Sequence, residues 1–255
     1  MLRLTSYVPS RHTVLLILSP VICTTISVLR GAAMPPRVRR IERYWSGLII
    51  FVFLGLTEAG TSYTEPAHCR EGKECFNYDL VCENPDYEVR HYNASKWAAT
   101  NVTSLFMEFA SYQGFMKLFK YIQGKNEEGK QIDMTTPVLL KIPQSEGIGF
   151  KNYIIHFLLP AEYQQSPLAP IDTDVYFIDF PEMNAYVKSF GGWLLTLSSE
   201  IYSSKLKQQL NNASQLFDSS YYYGACYNSP MTLVDRHNEV WYIAEGTPAC
   251  PTAAP

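Results

Sequence analysis

The chain has 255 residues, room for one or two domains, and 47% of them are hydrophobic, enough for a real core. Its formal charge of −3 is uneven: residues 1–60 carry seven Lys/Arg against two Asp/Glu, leaving a body of −8. A body that acidic argues against nucleic acid or anionic lipid as the main partner, since both need a positive surface.

Residues 1–33 read as an upstream extension before Met34. Residues 34–61 read as a signal peptide. Arg37, Arg39, Arg40 and Arg43 form its positive region, and Gly47–Leu56 its apolar run. Ala59, Gly60 and Ser62 are the small residues around the expected cleavage. The apolar run is too short for a membrane span, which needs ~20 residues. The alternative is a signal anchor that joins Val14–Leu29, broken by Pro20, to Gly47–Leu56. Neither a stable span nor a lipid anchor at the C-terminus is expected in the remainder.

Residues 62–77 form a polar, Cys-bearing arm, expected to be irregular. The disulfide candidates are Cys69, Cys75, Cys82, Cys226 and Cys250; the number is odd, so one thiol stays free or pairs outside the chain. Asn93-Ala-Ser, Asn101-Val-Thr and Asn212-Ala-Ser are glycan acceptors, whereas the Pro after Asn228-Ser removes that site. Together these place the protein in the secreted, extracellular compartment.

The folded domain is expected over residues 78–246, followed by a tail at 247–255. Asp86–Tyr92 alternates Tyr87, Val89 and His91 against Glu88, Arg90 and Tyr92, the pattern of a half-buried strand; Lys96–Val102 is a second extended piece. Ser104 is a candidate N-cap. Leu105, Phe109, Tyr112, Met116 and Phe119 then recur at helical spacing, with Phe115, Leu118 and Ile122 widening the stripe and Gly124 as the stop. Ile132–Ile142 reads as a strand broken or edged by Pro137, and Tyr153–Leu159 as an apolar strand. After a Pro-bearing linker at 166–174 the order repeats. Val175–Phe180 and Ala185–Phe190 are strands, Gly191-Gly192 a turn, and Ser198–Asn211 a helix with Ile201, Leu206 and Leu210 apolar. Tyr221–Val234 is a strand region and Asn238–Glu245 the last strand. The fold class is therefore α+β. Duplicated units should build a mostly antiparallel curved sheet or barrel with two helices packed on it.

No catalytic constellation is present: there is no nucleophile elbow, phosphate-binding glycine loop or zinc-protease motif, and His68, His91, His156 and His237 lie outside metal-ligand spacing of one another. An enzyme is not expected.

Several runs, in order, carry a resemblance. They are Tyr87–Tyr92 (YEVRHY), Trp97 with Thr100, Gly114-Phe115 through Tyr121–Asn126, Met134–Val138 (MTTPV), Phe157–Pro160 (FLLP), Val187–Gly191 (VKSFG), Tyr227–Pro230 (YNSP) and Asn238–Trp241 (NEVW). Over residues 78–246 the chain resembles the SOUL family of heme-binding proteins. The resemblance implies duplicated βαββ-type units in a distorted barrel flanked by two helices, with heme or a related porphyrin as ligand. It further implies His91, in the YEVRHY strand, as an iron ligand, or else apolar contact beside the first helix. There, Phe109, Tyr112, Met116 and Phe119 could stack on a porphyrin and Lys117 and Lys120 could meet its propionates. Against these stand plainer readings: a hydrogen-bonded core imidazole for His91, a sheet-packing stripe for the helix, a solvated face for the lysines. The functional expectation is a secreted tetrapyrrole-binding protein for transport, buffering or scavenging. The alternative is an extracellular interaction module that keeps the fold without the ligand.

Overall fold

The computed structural model describes Cys69, residues 74–144, Gly147 and residues 149–250. The extension and signal peptide expected from the sequence lie outside these residues.

Among the described residues, eleven strands and two α-helices follow in the order β1 (Glu74–Cys75), β2 (Asp79–Glu83), β3 (Glu88–Tyr92), β4 (Ser95–Ser104), α1 (Met107–Ile122), β5 (Thr135–Thr136), β6 (Val138–Pro143), β7 (Lys151–Leu158), β8 (Val175–Phe180), β9 (Met183–Phe190), α2 (Thr196–Asn212), β10 (Tyr221–Cys226) and β11 (Asn238–Ile243). Nine of the strands form one sheet in the order β2-β3-β9-β11-β10-β6-β7-β4-β8, and every pairing in it is antiparallel. The α+β class and the two helices are as the sequence implied.

The barrel is not. The sheet stays open, with β2 and β8 as its margins. It is nevertheless strongly curled. β8 and β10 are four strands apart, which in a flat sheet would be ~19 Å. Yet the rings of Phe180 on β8 and Tyr223 on β10 are 5.7 Å apart. Side chains, not a backbone ladder, bridge the strands next to the two margins, β3 and β4. Phe76 stacks on Tyr92 of β3 at 4.6 Å and meets Trp97 of β4 edge-on at 5.1 Å. The described part of the arm expected to be irregular is ordered: β1 pairs with β5, and Cys69 and Phe76 are buried with the concave-face aromatics.

α1 lies across β4 and β7 through Met107, Ala110, Leu118 and Tyr121. Gly114 permits that approach: a Cβ there would lie 2.3 Å from the Ile155 side chain. The helix begins later than the spacing suggests. β4 runs to Ser104, and the cap position is Phe106, because strand pairing with β7 continues to the Ser104–Lys151 register. Gly124 ends the helix at φ +103. α2 packs on β9 and β11. It buries Ser199, Ser203, Leu206 and Leu210, whereas Ile201 points outward. Tyr222 donates its hydroxyl to Ser199 Oγ at 3.0 Å, which is why a serine can face the core there. β10 ends at Cys226, so the strand region expected to reach Val234 is mostly a loop, from Asn228 to Asp235.

Cys69 bonds to Cys75 and Cys82 to Cys250, leaving Cys226 as the free thiol among the described residues. Asn93, Asn101 and Asn212 are all exposed. No helix among the described residues is long and apolar enough to cross a membrane.

His156 sits wholly inside the concave core, edge-on to Phe180 and Tyr223. Burial, which outweighs a hydrogen bond to Leu139 O, lowers its pKa to about 4. The unfolded chain therefore binds a proton between pH 6.5 and 4 that the folded chain does not, and stability falls as pH drops through that window. The full effect is roughly 3 kcal/mol. Urea midpoints measured from pH 7 to pH 4 should show this slope, and His156→Phe should remove His156's share of it; an unchanged slope would mean other groups set it.

Candidate functional site

The described residues form one long groove in two lobes beside α1. The larger, of about 320 Å³, lies between the Tyr112–Phe115 side of α1 and the turn at Trp193–Leu195. Its floor is Leu140 and Ile155, and its far rim is the Asn228–Arg236 loop. The smaller, of about 180 Å³, continues along Phe119 to Met134 and Thr136. Phe115, Val138, Cys226, Asn228 and Pro230 line both. Gly192, at φ +81, turns the chain that carries Trp193 to the groove, and Gly224 admits Leu194, whose side chain would lie 2.8 Å from a Cβ there.

Polar groups are few. Glu108 accepts from Thr196 N at 2.8 Å and from Thr196 Oγ1 at 2.9 Å, so its carboxylate closes the start of α2. Burial raises its pKa, but these hydrogen bonds outweigh that and the net shift is downward. Burial pushes the Cys226 thiol up to about 11, against the pull of Arg236, which keeps it protonated at neutral pH. Arg236 lies over the Trp193 ring at 4.0 Å and donates to the carbonyls of Ser229 and Thr232, both at 2.7 Å.

The structure divides the candidates from the sequence. Tyr112 and Phe119 line the groove. Phe109 and Met116 share a different side of α1 and do not line it; Phe109 is exposed. Lys117 is bound to Asp174 at 2.6 Å, and Lys120 points to solvent. His91 stands on β3, between β2 and β9, while α1 packs on β4, β7 and β8. Its Nδ1 is 3.1 Å from Asn184 Oδ1 and its Nε2 3.5 Å from Glu182 Oε1. The fold does not bring it to the α1 aromatics. Trp193 and Arg236 are the site residues that sequence reasoning missed. The Gly-Gly turn before Trp193 was the available signal; for Arg236 there was none.

A second constellation lies in the concave core. Arg90 and Tyr92, expected on the outer face of a half-buried strand, are buried because the curled sheet encloses that face too. Arg90 Nη1 is 3.0 Å from Glu239 Oε1 and its Nε 2.7 Å from Glu88 Oε2. Glu239 also accepts from Trp241 Nε1 at 2.7 Å and Tyr227 OH at 3.0 Å, and lies 2.7 Å from His237 Nε2. Burial lowers the pKa of Arg90, but Glu239 more than offsets it and the net shift is upward.

The family model for the SOUL heme-binding protein matches residues 73–243. The chain belongs to that family. Human heme-binding protein 2 is 39% identical over 163 residues, 64% of this chain and 80% of that protein. The mouse protein of that name is 37% identical, covering 67% and 84%. Mouse heme-binding protein 1 is 30% identical, covering 63% and 85%. The runs YEVRHY, YNSP and NEVW, which carried the resemblance, meet at the Glu239 carboxylate. These runs therefore mark a buried ion cluster of the scaffold, whereas the groove lies on the helix-bearing side.

Glu239→Gln should destabilise the fold by about 3 kcal/mol, because it takes from Arg90 its fully buried counter-ion and leaves only the partly exposed Glu88. The double replacement Arg90→Met with Glu239→Leu should recover part of that loss. Denaturant midpoints of the two variants decide; equal loss in both would mean that the charge pairing contributes nothing.

Proposed function

We propose that this is an exported tetrapyrrole-binding protein that holds heme or a related porphyrin reversibly, for transport, buffering or scavenging, in the groove beside α1. One observation carries the reading. The groove is open, apolar and flanked by aromatic rings, with Tyr112 and Phe115 from α1 and Trp193 from the opposite turn. Such a slot suits a flat, largely apolar macrocycle that stands partly in solvent. Family membership and the names of the relatives support the same ligand. The groove is not filled by the chain's own aromatic side chains, which favours a ligand-holding role over a module that has lost its ligand.

Export is part of the proposal. It is supported by two cysteine pairs at bonding distance and by the exposure of all three sequon asparagines. At Asn101 the carbonyl Oδ1 accepts from Tyr176 at 3.0 Å, leaving the nitrogen that would carry a glycan free of that bond. Internal duplication is supported by the match between β4-α1-β6-β7 and β9-α2-β10-β11. In each, the last strand lies between the other two.

Hemin titrated into the purified protein should give a saturable Soret shift with one site. Phe115→Ala or Trp193→Ala should weaken binding about tenfold, the loss of one aromatic contact. His91→Ala should leave affinity unchanged. Loss of binding in His91→Ala alone would return the site to β3, and absence of saturable binding would end the tetrapyrrole reading. Expressed in a secreting cell, the protein should reach the medium carrying glycans removable by peptide N-glycosidase; retention inside the cell without glycans would rule out export.

A further inference from the structure

We propose that Arg236 is the anion-recognising residue of the groove, meeting an acidic substituent of the bound ligand. On the tetrapyrrole reading above, on which this rests, that substituent is a propionate carboxylate. Arg236 is 8% exposed, and it lines the groove. Its Nη1 donates to two loop carbonyls and its Nη2 to a third, Asn228 O at 3.3 Å. Its Nε is buried and has no partner. Among the described residues no carboxylate lies within ion-pair distance of it.

The contrast with Arg90 defines the case. Arg90 is also buried, and two carboxylates meet it. Taking a guanidinium out of water without a counter-charge is costly, and carbonyl dipoles replace only part of the lost hydration. A counter-charge supplied by the ligand would complete the set. The other charges near the groove do not serve. Glu108 has the wrong sign and both its oxygens are held by Thr196. Lys117 is bound to Asp174.

Trp193 fixes the plane of the guanidinium from below, so an apolar ring in the groove and an acid at its edge would be read by adjacent side chains. The planar fork of arginine suits a carboxylate in this way. The same residue pins the 228–236 loop, so an anion drawn to it would also steady the rim.

The test compares acid and ester forms of one ring system on the intact protein, by fluorescence titration. Wild type should bind protoporphyrin IX about tenfold or more tightly than its dimethyl ester, the range of a hydrogen bond to a charged group. Arg236→Gln should weaken the acid alone and bring the two within about twofold, while Arg236→Lys should keep part of the preference. Equal affinity for acid and ester in wild type, or a preference that survives Arg236→Gln, overturns the proposal and leaves the tetrapyrrole reading intact. The wild-type comparison decides even if Arg236→Gln does not fold. Should neither porphyrin bind, the tetrapyrrole reading falls. The charged probe 8-anilino-1-naphthalenesulfonate against neutral N-phenyl-1-naphthylamine then decides the role of Arg236. A sulfonate preference lost in Arg236→Gln supports it; no preference, or no binding of either, overturns it.

Discussion

The buried carboxylate of Glu239 constrains the rest of the structure. At 0% exposure it has no water to turn to, so the fold must bring its partners to it. They come from separated parts of the chain: Arg90 from β3, Tyr227 just after β10, His237 just before β11 and Trp241 from within β11. An ion pair in such a place is a weak source of net stability but a strict condition on geometry, because removing Arg90 leaves an unpaired carboxylate in the interior. It links β3 to β11 across the intervening β9.

The curl of the sheet gives its two faces different tasks. The concave face closes over rings and charges, and Phe76 bridges β3 and β4 there. The other face takes the two helices. α1 and α2 lie over different halves, and the turn at Trp193–Leu195 and the loop at 228–236 approach α1 without covering its flank. The groove is what this incomplete cover leaves. The ion cluster and the groove therefore lie on opposite faces of the sheet.

Much of this was legible in the chain. Alternation in β3 and the spacing of α1 placed both elements, and the repeated order of strands and helices indicated a mostly antiparallel sheet. Closure was not legible, because a barrel and a curled open sheet share one strand pattern; Phe76, which stacks between β3 and β4, comes from a segment whose polarity suggested irregular structure. Arg90 misled for a related reason. Alternation assigns a charged residue to solvent, and its fully buried partner lies 149 positions away. On α1, apolar periodicity merged two sides of the helix: Tyr112 and Phe119 face the groove and Phe109 does not. The charge that matters there, Arg236, sits in a loop without periodicity.

The bond between Cys82 and Cys250 spans 168 positions. It ties the edge strand β2 to the residues that follow β11, and in the chain-entropy view closing so long a loop restricts the unfolded chain by about 5 kcal/mol. Its mechanical consequence is larger. Tension applied along the chain from outside these two cysteines would pass through one covalent bond, and the hydrogen-bonded ladders between them would lie off the load path. A domain tethered in this way resists being pulled open strand by strand, and a single cut between Cys82 and Cys250 would nick the molecule without dividing it.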